Sequence, residues 1–130
     1  DGSMPDELIK LSFLRANFAE QLSKYAKDLP IDSTEAYLLG MFSTLGKLTQ
    51  IPLEDALREL PISEHIKTAL ISKEGRCGLL YDVILCYEKA SWNAMAESAE
   101  KLEIPTDKIA QIYFECVEKV NDIWTGIMTT

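Results

Sequence analysis

The chain has 130 residues, the size of one ordinary domain, with 47% hydrophobic and 26% charged residues and a formal net charge of -8 at pH 7. A chain this acidic repels phosphate backbones and anionic lipid surfaces, so neither nucleic acid nor membrane is an expected partner. No apolar run approaches the ~20 residues of a membrane span, and no N-terminal stretch reads as a signal peptide.

The opening "DGSM" looks like an expression scar, so residues 1–3 are set aside and 4–130 are read as a single helical domain. The first helix is predicted over about 5–27. Leu8, Leu11, Arg15, Phe18, Leu22 and Tyr25 mark its inner stripe at helical spacing, with Leu14 beside them and Arg15 as the one interruption. "KDLPID" breaks it. Asp32 or Ser33 caps a second helix that runs to about 49, and Glu35 three residues beyond Asp32 resembles a capping box. "IPLEDALREL" predicts a short third helix after Pro52, and "SEHIKTALI" a fourth, capped by Ser63. "SKEGRCG" reads as a loop with two glycines. "LLYDVILCYEK" follows as an apolar fifth helix, with a strand as the minority reading, and "SWNAMAESAEKL" as a sixth. The last helix starts after Pro105, capped by Thr106 with Asp107 in its first turn. Ile109, Ile112, Tyr113, Cys116, Val120, Ile123, Trp124 and Ile127 mark its inner face. With no repeat and no long linker, these elements predict an all-α bundle of about six to seven helices.

Three widely spaced cysteines, Cys77, Cys86 and Cys116, form no CxxC or Cys/His cluster. They read as free thiols of a cytoplasmic protein. Cys77, in the predicted loop, is the candidate for reactivity, against the plainer reading of an inert small hydrophobe.

The second helix holds the unusual stretch "LLGMFSTLGKL". At about 100° per residue, Ala36, Gly40, Ser43, Thr44 and Lys47 fall on one side, within an apolar majority. Its two glycines cost about 1 kcal/mol each relative to alanine. Close approach by another backbone is the simplest compensation; a present or former site lined by the stripe is the sharper reading.

Catalytic chemistry finds little to use. A hydrolytic metal site needs histidines and carboxylates converging from several helices, and this chain has one histidine, His65, which reads as a surface residue near a helix start. There is no GxSxG elbow, no Walker or Rossmann glycine pattern and no Cys-His spacing. No cofactor, metal or catalytic residue is expected.

Three ordered segments carry a resemblance. "LSFLRANFAEQLSKYA", "AYLLGMFSTLGKLTQIPLEDALRELPISEHIKTALI" and "GLLYDVILCYEKASW" together resemble the C-terminal, HD-like part of an HDOD (HD-related output) domain, most closely the version that follows an EAL domain in bacterial signalling proteins. The similarity covers about residues 7–125. In metal-dependent HD phosphohydrolases the stretch around Ser43-Thr44 would read "LLHDIGK", and the first metal-binding histidine would fall at about Ala16. The resemblance therefore implies a degenerate HD site in which Ala16, Ser43 and Thr44 replace the ligands while Gly46 and Lys47 are retained. It also implies a fragment of a longer protein, since the N-terminal helical half and any EAL domain are absent.

What the resemblance implies is a non-catalytic regulatory module, bacterial and linked to cyclic-di-GMP signalling, that binds a protein partner, with its own EAL domain as the first candidate. The "SKEGRCG" loop with Arg76 and the flank of the last helix are the expected contact surface. Tyr87, Glu88 and Trp92, which match the family's Tyr-Glu-turn-Trp pattern, read as structural. Trp92 is expected to anchor a turn from a buried position, so that truncation to alanine would unfold or strongly destabilise the chain. The alternatives are a divergent HD phosphohydrolase with unusual ligands, or a nucleotide sensor lined by Gly40, Ser43 and Thr44, for which Lys47 is the sole cation on the stripe.

Overall fold

A computed structural model describes residues 4–129. They form α1 (Met4–Ser23), α2 (Ser33–Phe42), α3 (Leu45–Thr49), α4 (Leu53–Arg58), α5 (Glu64–Ser72), α6 (Gly75–Glu88), α7 (Trp92–Lys101) and α8 (Thr106–Thr129). No strand occurs among the described residues, so the apolar "LLYDVILCYE" is helix. The expected scar at 1–3 lies outside the described residues.

Local chemistry starts α2 and α5 where expected. At α2 the Glu35 N–H donates to Asp32 Oδ1 at 2.8 Å and the Asp32 N–H donates to Glu35 Oε1 at 3.2 Å, a full capping box. Ser63 Oγ accepts from the His65 N–H at 3.0 Å and opens α5. Thr106 is the first residue of α8 rather than its cap, with Asp107 in the first turn.

The described residues form eight helices where the sequence suggested at most seven, because the second predicted helix is two. It breaks at Ser43-Thr44, where Ser43 Oγ donates to the Gly40 carbonyl at 2.7 Å and Thr44 takes φ -99°, ψ 1°. A hydroxyl that bonds a nearby carbonyl competes with the helical ladder.

The "SKEGRCG" loop reading is corrected. Lys73 and Glu74 alone join α5 to α6, and Gly75, Arg76, Cys77 and Gly78 form the first turn of α6. Lys73 ends α5 in the left-handed region at φ 57°. A Cβ at Gly78 would collide with the Lys73 carbonyl and lie 3.1 Å from its Cα. That glycine permits close approach rather than a loop.

The helix α1 is the hub. It packs against α2, α8, α6 and α3, while α5 lies on α6 and α2, and α7 covers α6. Neighbours on several sides bury more than one face of α1: Ser12, Ala16, Asn17, Phe18, Ala19 and Leu22 are all buried. The single stripe read from the sequence is thus incomplete, and Tyr25 at its end is exposed. Phe18, Leu22, Leu39, Leu57, Ile66, Leu80, Ile84, Leu102 and Ile109 form the centre of the core. On α8 the inner face holds as predicted through Val120; Ile123 and Ile127 are exposed.

One cation ties the far end of the bundle. Arg76 donates through Nε and Nη2 to the Lys27 carbonyl at 3.0 and 2.6 Å, and through Nη2 to the Lys101 carbonyl at 3.2 Å. It satisfies carbonyls at the ends of two chain segments that have no helical partner.

Candidate functional site

The stripe of small residues on α2 lies against the backbone of α1. A Cβ at Gly40 would stand 2.6 Å from the Ala16 nitrogen and closer still to the Arg15 carbonyl. Gly40 therefore lets two helices approach at a distance no other residue permits. This contact brings Ala16, fully buried, beside the end of α2, where Ser43 and Thr44 stand.

Around that contact two polar contacts close. Thr44 Oγ1, almost fully buried, hydrogen-bonds Ser12 Oγ, which also donates to the Leu8 carbonyl at 2.8 Å. Arg15 donates through Nη1 to Ser43 Oγ at 3.1 Å, and through Nε and Nη2 to the two carboxylate oxygens of Glu88 at 2.9 and 2.7 Å. The two side chains of this ion pair are 11% and 20% exposed. Burial opposes the charge on Arg15, but the Glu88 hydrogen bonds and charge outweigh it and hold its pKa above the ordinary value. Burial foremost, and then Glu88, push the nearby Tyr113 phenol up.

An aromatic cluster borders the ion pair. The Tyr87 ring lies 5.6 Å from Phe18, 4.6 Å from Tyr113 and 5.2 Å from Trp92. Trp92 meets Tyr87 edge-on but is 53% exposed, which overturns the expectation of a buried anchor. Half of its surface never leaves water, so little is lost on truncation. Trp92→Ala is expected to cost about 1 kcal/mol, the worth of one aromatic pair with partial burial. Chemical denaturation checks this, and an unfolded variant would contradict it.

The structure thus joins Ala16, Ser43, Thr44, Tyr87, Glu88 and Trp92 in one region. It leaves Lys47 exposed on the short α3, and places Arg76 at the opposite end of α6, about 18 Å along the helix from Glu88 at 1.5 Å per residue. Gly46 packs where a Cβ would lie 3.2 Å from the Ile51 carbonyl oxygen. Sequence reasoning missed Ser12 and the pairing of Arg15 with Glu88. The signal was present: a charge inside an apolar stripe must find a partner.

These residues do not fit a divalent metal. Around Ala16 the donors are hydroxyls and one carboxylate already held by a guanidinium, and no group of three His, Cys, Asp or Glu that could hold a metal ion occurs among the described residues. His65 is exposed on α5, away from this region.

The cysteines are free as read, and the plainer reading of Cys77 as an inert buried thiol holds, while its placement in a loop is corrected. Cys77 is 2% exposed and helical, not in a loop. Burial first, then Glu35, pushes its thiol up to about 11; burial likewise takes Cys116 to about 11. Cys86 is half-buried and donates to Asp82 Oδ2 at 3.5 Å, and burial with Asp82 raises it too. At pH 8 a thiol reagent is expected to label Cys86 first, with Cys77 and Cys116 reacting on unfolding, as read by mass spectrometry of labelled peptides. The folded chain keeps protons on Cys77 and Cys116 that the unfolded chain releases near pH 9. The stability they contribute is complete below pH 9 and is lost as pH rises through 11. Urea midpoints should therefore fall between pH 8.5 and 11, and fall less when Cys116 is replaced by alanine.

The chain is 31% identical over 119 residues to the cyclic di-GMP phosphodiesterase CdgJ of Vibrio cholerae, an alignment covering 92% of this chain and 27% of that protein. It is 25% identical over 116 residues to YuxH, an uncharacterized protein of Bacillus subtilis, covering 89% of this chain and 27% of YuxH. The chain spans about a quarter of the length of these curated relatives. No family model matches it, and no solved structure matches it. No helix among the described residues is long and apolar enough to cross a membrane.

Proposed function

We propose that this chain is a non-catalytic regulatory and protein-interaction module of the HDOD kind, acting in the cytoplasm in cyclic-di-GMP signal transduction. The observation that carries the reading is the Arg15–Glu88–Ser43 cluster. Where three helices meet, a guanidinium engages the nearby carboxylate and a hydroxyl, which supports a structural rather than a metal-binding role for this cluster. Similarity to a segment of a cyclic di-GMP phosphodiesterase supports the signalling context. The free cysteines, distributed without pairing, support a reducing compartment. An EAL domain is the first partner to test, because the family resembled carries one.

The test has two readouts. Purified protein analysed for transition metals should contain well below one equivalent of Mn, Fe or Zn, and should not hydrolyse cyclic di-GMP. Mixed with an EAL-domain protein from the same organism, it should form a complex on size exclusion. Stoichiometric metal with turnover would replace this reading by a divergent HD phosphohydrolase. A metal-free chain with no EAL complex would move the search to other protein partners.

A further inference from the structure

Over α1, the helices α2 and α8 stand apart as two walls. Phe13 and Glu20, seven residues apart on one face of α1, lie on the floor. Tyr37 forms one wall, and Ile123 with Trp124 the other, around a groove of about 290 Å³. That space takes two or three side chains, the number one helix ridge presents. Ile123 is 46% exposed although it continues the apolar stripe of α8.

Glu20 is the acidic member of the lining. It stands among aromatic side chains, and no described cation pairs with it: neither Lys119 on the opposite lip nor any other forms a salt bridge there. Burial and the Glu20 charge together push the Tyr37 phenol up, which places that carboxylate's field within the groove. A second copy of the chain is a poor occupant, since two chains each of net charge -8 repel one another. A cationic ligand gains both an ion pair and long-range attraction.

We propose that this groove receives an amphipathic helix of a protein partner, with a lysine or arginine on its apolar stripe seated against Glu20. The proposal rests on the interaction-module reading. The apolar residues of the partner helix lie against Phe13, Tyr37 and Ile123, and the aliphatic stem of the basic residue crosses the Trp124 ring.

The test is selection of a phage library of helical peptides, with a fixed leucine stripe and randomised positions beside it, on the folded chain. Three proteins are compared: wild type, Ile123→Asp and Glu20→Lys, each first shown to melt like wild type. The expected result is enrichment of peptides with Lys or Arg beside the stripe. These should bind Ile123→Asp at least about tenfold more weakly, while Glu20→Lys selects Asp or Glu instead. The assignment is overturned if selection is empty, if enriched peptides lack a basic residue, or if Glu20→Lys keeps the wild-type preference. A dimer in sedimentation that Ile123→Asp dissociates would also overturn it, giving the groove to a second copy. Peptides that bind but ignore both variants would remove the groove while leaving the interaction module standing.

Discussion

Arg15→Ala is expected to destabilise the fold by about 3 kcal/mol, lowering the melting temperature by roughly 10 °C. The substitution leaves Glu88, whose side chain is 20% exposed, without its two charge-assisted bonds, and leaves Ser43 without its donor. An unpaired charge held out of water costs more than the pair itself contributes. Hence Glu88→Ala alone should do comparable harm, while Arg15→Met combined with Glu88→Leu should recover most of the loss. A double-mutant cycle by urea denaturation reads this directly. Additive losses in the double variant would show that the two residues act separately. A cluster that holds three helices together through one ion pair is a structural centre, and its loss should be felt in folding before it is felt in any binding.

The second large effect lies in the same helix contact, at Gly40, one turn before Ser43. Gly40→Ala should destabilise by about 2 kcal/mol even though alanine improves helix propensity by about 1 kcal/mol. The added methyl group meets main-chain atoms of Arg15 and Ala16, which cannot rotate out of its way. The helices α1 and α2 must move apart, and with them the Ser12–Thr44 and Arg15–Ser43 contacts. Gly126→Ala is the matched control, because a Cβ there meets no atom within 4 Å and the substitution should stabilise slightly. Opposite signs for one chemical change on two helices would separate tertiary crowding from propensity. Equal signs would refute the close-approach account of Gly40.

The two effects bear on the nature of the site. A helix end carrying Ser43 and Thr44 is held within reach of Arg15 only because Gly40 has no side chain. The polar groups gathered there satisfy one another, and among the described residues no buried side-chain nitrogen or oxygen lacks a partner.

The chain's local chemistry was legible without coordinates. The Asp32/Glu35 box, the Ser63 cap and the amphipathic run from Ile109 to Val120 depend on residues within a turn or two of each other, so spacing alone determines them. The cost of a glycine inside a helix likewise pointed to a close neighbour at Gly40. What spacing could not supply was which neighbour. Arg15 and Glu88 are 73 residues apart, and Ser12 and Thr44 are 32 apart, so their meeting depends on where α1 lies within the bundle. The same cause explains the misread features. The helix α1 is surrounded, so its buried residues exceed one stripe; the turn of α6 at Gly75–Arg76–Cys77–Gly78 is helical because Gly78 can press on Lys73; and Trp92 stays half in water because α7 begins at the surface. By itself the sequence determined the all-helical class, the Asp32 and Ser63 caps and the acidic composition, since those follow from short-range hydrogen bonding and composition. Only the tertiary structure decided which charges are paired, which thiols are sheltered and which groove is open, because each depends on the distance between segments far apart in the chain.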